Sequence, residues 1–88
     1  MKIKIKESDI LIETAKAKFI KINDERGFWI PASLVKYNNV YIPDGFKVIT
    51  KAIVIDDRFC SMGYDPKINI LDIDDKELTE DLVSEKVA

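Results

Sequence analysis

Lys16-Ala17-Lys18-Phe19-Ile20-Lys21-Ile22-Asn23-Asp24-Glu25-Arg26-Gly27-Phe28-Trp29-Ile30-Pro31 is the stretch whose reading decides the fold. Two apolar-rich extended runs flank a polar cluster that ends in glycine, which is the pattern of a β-hairpin. In the first run, Thr14 to Ile22, Lys16 and Lys18 share one parity while Ala15, Ala17 and Phe19 hold the other. The phase then slips, because Ile20 and Ile22 take the parity the lysines held. Either a bulge intervenes near Phe19 or the strand becomes covered on both faces as it proceeds. In the turn, Gly27 stands where longer hairpin loops usually need positive φ. Pro31 denies the second strand a further amide donor, so Ala32-Ser33-Leu34-Val35 is expected to make one short helical turn before Tyr37.

Outward from the hairpin, the chain keeps a period of two. Lys2, Lys4 and Lys6 alternate with Ile3 and Ile5, a strand with one wet face, and Ile10 to Ile12 forms a second strand or continues the first past a bulge. Asn38-Asn39 and Pro43-Asp44-Gly45 bracket a brief strand, Val40 to Ile42. Phe46 to Ile55 is the strongest strand, with Lys47 and Lys51 marking a wet face early and continuous burial later. Asp56 to Pro66 reads as a loop in which Phe59 and Met62 cover the open end of the core, and Lys67 to Ile73 as a further strand. Asp74 is a candidate N-cap with Glu77 at capping-box spacing, leading a helix of about three turns with Leu78, Leu82 and Val83 on one stripe. Five or six short strands and one terminal helix predict a mainly β (α+β) fold. It is a small twisted antiparallel sheet or a partly open SH3/OB-like barrel, with a β-rich core over 1–73 and an acidic helix or tail over 74–88.

Eighty-eight residues, 47% hydrophobic and 34% charged, support one hydrophobic core. A single cysteine, Cys60, closes no internal disulfide, and it reads as a small, partly buried hydrophobe; a reducing, cytoplasmic setting is expected. The longest apolar run, Ala52 to Ile55, is far too short for a membrane span. Fourteen Ile and twelve Lys form a bias that AT-rich coding DNA produces, as in low-GC bacteria and their phages. Charge is split. Residues 1–51 hold ten Lys and Arg against six Asp and Glu, whereas residues 52–88 hold four against ten.

The sequence has no histidine, which removes the commonest general base, the commonest zinc ligand and every Ser-His or Cys-His nucleophile. Asp72-Ile73-Asp74-Asp75-Lys76-Glu77 starts like a calcium loop, but Lys76 stands where an oxygen ligand is needed and Glu77 where glycine is needed. Asp56 and Asp57 are adjacent and would point to opposite faces of a strand, so they read as a turn and not as a carboxylate pair. The three glycines are too scattered to cradle phosphate. No enzyme, metal or cofactor is expected.

Gly27-Phe28-Trp29-Ile30-Pro31-Ala32-Ser33-Leu34-Val35 resembles the strand-Pro-short-helix segment of SH3-like barrels. The acidic loops and paired aromatics that grip proline-rich ligands in that family have no counterpart, so that ligand is not carried over. Lys16-Ala17 together with Trp29-Ile30-Pro31-x-Ser33 is similar to hairpins of small phage-encoded proteins. That resemblance, to proteins of uncertain role, implies a phage or mobile-element origin, and the acidic residues 52–88 favour a non-catalytic protein that binds a larger protein, for example an inhibitor of a host defence nuclease of the anti-CRISPR kind. On this reading Trp29, Tyr37 or Tyr41 fills a pocket on the partner, and Asp72, Asp75, Glu80 and Asp81 meet a basic groove. The alternative is a barrel that binds single-stranded nucleic acid through Lys2, Lys4, Lys6, Lys16 and Lys18, if the two strands that carry them are neighbours. An edge strand of Ile and Lys could also pair across a two-fold axis to give a homodimer.

Overall fold

The structure, a computed structural model, describes residues 1–58 and 60–87, with only the backbone of Asp74, Asp75 and 85–87. Phe59, expected over the open end of the core, lies outside the described residues. Eight strands are present among those described: β1 (Lys2–Lys4), β2 (Ile10–Glu13), β3 (Ala17–Lys21), β4 (Arg26–Pro31), β5 (Val35–Lys36), β6 (Asn39–Tyr41), β7 (Ile49–Asp56) and β8 (Lys67–Glu77). One helix follows, α1 (Glu80–Val87). All pairings are antiparallel, in a five-stranded sheet ordered β2-β3-β4-β7-β8 and a three-stranded sheet ordered β1-β6-β5. Together they make a mainly β, partly open half-barrel with a short C-terminal helix, as the period-two segments predict.

The core lies inside the curl. Ile20, Phe28 and Ile30 come from the large sheet, Ile3 and Val40 from the small one, and Ile5, Ile22, Ile42 and Val48 from the connections. Leu78, Leu82 and Val83 close it from the C-terminal side. Each fully buried side chain of this size contributes about 1.5–3 kcal/mol. The helix begins at Glu80, not after Asp74: β8 continues through Glu77 because Lys76 and Glu77 find partners in Thr50 and Ile49. Thr79 is the cap, its hydroxyl accepting from the Leu82 amide at 3.4 Å. The helix therefore has eight residues, about two turns at the standard pitch.

The phase slip in β3 is resolved by cover on both faces. Ile20 and Ile22 point into the core, and Phe19 is 0% exposed on the opposite face, edge-on to Trp29 with ring centroids 5.3 Å apart. The register shift lies instead in β2, between Ile10 and Ile12. Gly27 is a strand residue without positive φ, and its lack of a side chain is what lets the Phe19 ring cross β4. The turn before it is closed by Asn23, whose side-chain oxygen accepts from the amides of Glu25 and Arg26, each at 2.8 Å. Thr14 similarly closes the turn into β3, donating to and accepting from Ala17, so Lys16 sits in that turn and not on a strand face.

Candidate functional site

The residues proposed from sequence fall in three places. Lys2, Lys4 and Tyr41 share the outer face of the small sheet, since Ile3 and Val40 occupy the inner parity and the register sets Lys2 opposite Tyr41 and Lys4 opposite Asn39. Lys36 joins them, also opposite Asn39, on the third strand. The Lys2 ammonium stands 5.8 Å from the centre of the Tyr41 ring. Strands β1, β5 and β6 contain no carboxylate, and neither Lys2, Lys4 nor Lys36 forms an ion pair among the described residues.

The β5-β6 hairpin turns at Tyr37-Asn38, one residue earlier than the Asn38-Asn39 expected. Both residues have positive φ, 50° and 64°, the mark of a two-residue hairpin turn with matching twist. An asparagine suits that backbone; a tyrosine does not. Two hydrogen bonds hold the turn: the Ile5 amide donates to the Asn38 carbonyl at 2.9 Å, and Asn39 Nδ2 donates to the Tyr37 carbonyl at 3.0 Å. Tyr37 is 96% exposed at the tip. With Ser33, Leu34, Lys36 and Tyr41 it lines an open, mainly apolar cleft of about 370 Å³. Tyr37 and Asn38 also border a second cleft, about 450 Å³, together with Glu7, Glu13 and Lys18.

The five-lysine stripe is not formed. β1 pairs with β6 and never with β3, so Lys2 and Lys4 lie on a different sheet from Lys18. Lys18 is engaged by Glu13 at 3.0 Å, Lys16 is in the Thr14–Ala17 turn, and exposed Lys6 follows the end of β1. Trp29, 38% exposed, belongs to the outer face of the large sheet, where it covers Phe19, and so lies on a different sheet from Tyr41.

The acidic residues lie along β8 and α1. Opposite Lys51, between the pairs Ala52–Leu71 and Thr50–Lys76, β7 has one residue and β8 has four, Asp72–Asp75. This excursion exposes Ile73 and sets Asp72 3.1 Å from Lys51. The Asp75 side chain lies outside the described residues; Glu80 and Asp81 are exposed in the first turn of α1. Sequence reasoning missed what adjoins them. β4 pairs with β7 over Thr50–Ala52, and the buried Ile53 still donates its amide to the Glu25 carbonyl at 2.8 Å, so Val54–Asp56 and Lys67–Asn69 run on as a short two-stranded arm beyond the large sheet. The long axis of the molecule is accordingly 43 Å against 28 and 26 Å for the others. Val54 is exposed on the arm, Leu71 at its root on the same face, and Met62 and Tyr64 at its end. Met62 therefore does not cover the core, and Cys60 is exposed and not packed as a small hydrophobe. At the root of the loop, Asp56 binds Arg58 through both carboxylate oxygens, and these hydrogen bonds hold its carboxyl below the usual aspartate range.

No helix among the described residues is long and apolar enough to cross a membrane. Comparison with protein-family models, curated proteins and solved structures gives no match.

Proposed function

We propose that this chain is a non-catalytic binding protein, of the phage or mobile-element accessory type, that works by occupying a surface of a larger protein. Inhibition of a host defence nuclease is one concrete form. The observation that supports it is the β7-β8 arm. A two-stranded ribbon is marginal alone in water, yet this one exposes Val54, and Leu71 and Ile73 are exposed on β8 where the ribbon joins the large sheet. Beside them the four-residue excursion at Asp72 places carboxylate at the sheet edge, and Glu80 and Asp81 add to it from α1. Asp72 is paired with Lys51, whereas Glu80 and Asp81 are exposed; apolar contact flanked by mainly acidic side chains suits a partner whose groove is apolar at its floor and basic at its rim. Trp29 is better understood as the lid of Phe19 than as an anchor, and the arm takes the anchoring role.

The test compares the whole chain with Val54→Lys and Ile73→Lys, both at exposed positions. A protein retained by the wild type from cells of its source is purified and the complex rebuilt from the two pure components. The expected result is binding that either arm variant weakens about 10-fold or more, the size of a lost interface contact. Equal binding by all three chains would reject the reading.

A further inference from the structure

We propose that the outer face of the small sheet is a second, separate site, which binds single-stranded nucleic acid. It uses none of the arm residues and stands whether or not the arm docks. The face presents Lys2, Lys4 and Lys36 around Tyr41 and Asn39, with Tyr37 at the adjoining turn. Single-strand sites need two things together: cations spaced along a backbone track, and aromatic faces on which bases of any sequence can stack. Both are present on a surface free of carboxylates within its three strands.

Protection of a sheet edge explains lysine on β1, an edge strand. It does not explain Tyr41, which is on the central strand, or Tyr37. A bulky aromatic at positive φ is unfavourable where asparagine or glycine would fit, and burial offers Tyr37 nothing in return. Its ring is held out by a turn that Ile5 and Asn39 brace, so it is placed before any ligand arrives. The net charge of −2 is no obstacle: the acidic residues of β8 belong to the other sheet, α1 packs on the core through Leu82 and Val83, and of the two carboxylates that share a cleft with Tyr37, Glu13 is paired with Lys18, which leaves Glu7 facing the turn. In the complex, bases would stack on Tyr37 and Tyr41 across the Leu34 cleft while the lysines neutralise phosphates. Such a face holds about four nucleotides, the small end of single-fold sites.

The experiment is fluorescence anisotropy with labelled oligo-dT and oligo-U, at low and at physiological salt, using the whole chain. Binding should fall with salt at a log–log slope of about −2, the value for three phosphate contacts on a single strand. Tyr41→Ala and Tyr37→Asn should each weaken it about 5- to 150-fold, the range for one lost stack, with the fold intact by circular dichroism. Lys4→Ala should flatten the slope by about 0.7, and Lys16→Ala, off the face, should leave it alone. The proposal is overturned by no binding at low salt or by unchanged binding in both tyrosine variants. It is equally overturned if a duplex or a poly-glutamate peptide binds as tightly as oligo-dT, the last marking an acidic protein segment as the ligand.

Discussion

At Gly27, a Cβ would stand 2.6 Å from Cε1 of Phe19 and 2.7 Å from the Ile20 carbonyl oxygen. The carbonyl belongs to the β3 backbone and cannot step aside, so the glycine is required by space and not by φ. Gly27→Ala should destabilise the protein by about 1–3 kcal/mol, the usual range for overpacking, measured by urea unfolding. Phe19→Leu in the same chain should recover part of that loss, because ring and methyl compete for one volume. Glycine in a polar cluster signals a turn in any sequence, and only the three-dimensional crossing of Phe19 over β4 shows otherwise. Asp56 makes a second residue-scale prediction. Its carboxyl is held below the ordinary 3.8 by hydrogen bonds from Arg58. A depressed folded value means that the contribution is full above the ordinary value and is lost as pH falls through the folded one. Carboxylate titration by NMR should find Asp56 still charged at a pH where free aspartate is half protonated, and Arg58→Ala should return it towards 3.8.

Among the elements, the β5-β6 hairpin is where local preference and structure conflict most. Replacing Tyr37 by Asn suits the positive φ, and the same substitution leaves both bracing hydrogen bonds in place because each is accepted by a backbone carbonyl of the turn. Tyr37→Asn should therefore raise stability by about 0.5–1 kcal/mol, seen as a higher thermal midpoint. A variant that gains stability while losing ligand separates strain kept for binding from simple misfit. The strand-Pro-short-helix element was legible, since Pro31 ends β4 and Ala32–Leu34 turns once as its chemistry demands. The β8-α1 junction was not. Asp74 and Glu77 have capping-box spacing, but the pairing of Lys76 and Glu77 with Thr50 and Ile49 outweighs it, and a ladder partner so far back along the chain is not visible from the spacing itself.

For the whole molecule, period two was enough to establish a mainly β, partly open barrel with a terminal helix. Which strands neighbour each other was not legible, because alternation fixes faces and says nothing about partners. That is why Lys2 and Lys4 lie with Tyr41 and Lys36, and not with Lys18. The uneven charge of the two halves does correspond to position: lysines dominate the small sheet, and carboxylates follow β8 into α1. The Asp72–Asp75 excursion has one more consequence. β8 is an outermost strand of eleven residues, and an uninterrupted ribbon of that length, rich in isoleucine, is a template on which other copies can stack into cross-β fibres. Three residues more than its neighbour needs break the template into Lys67–Leu71 and Lys76–Glu77, with charge at the break, so the edge is too short and too polar to propagate an aggregate.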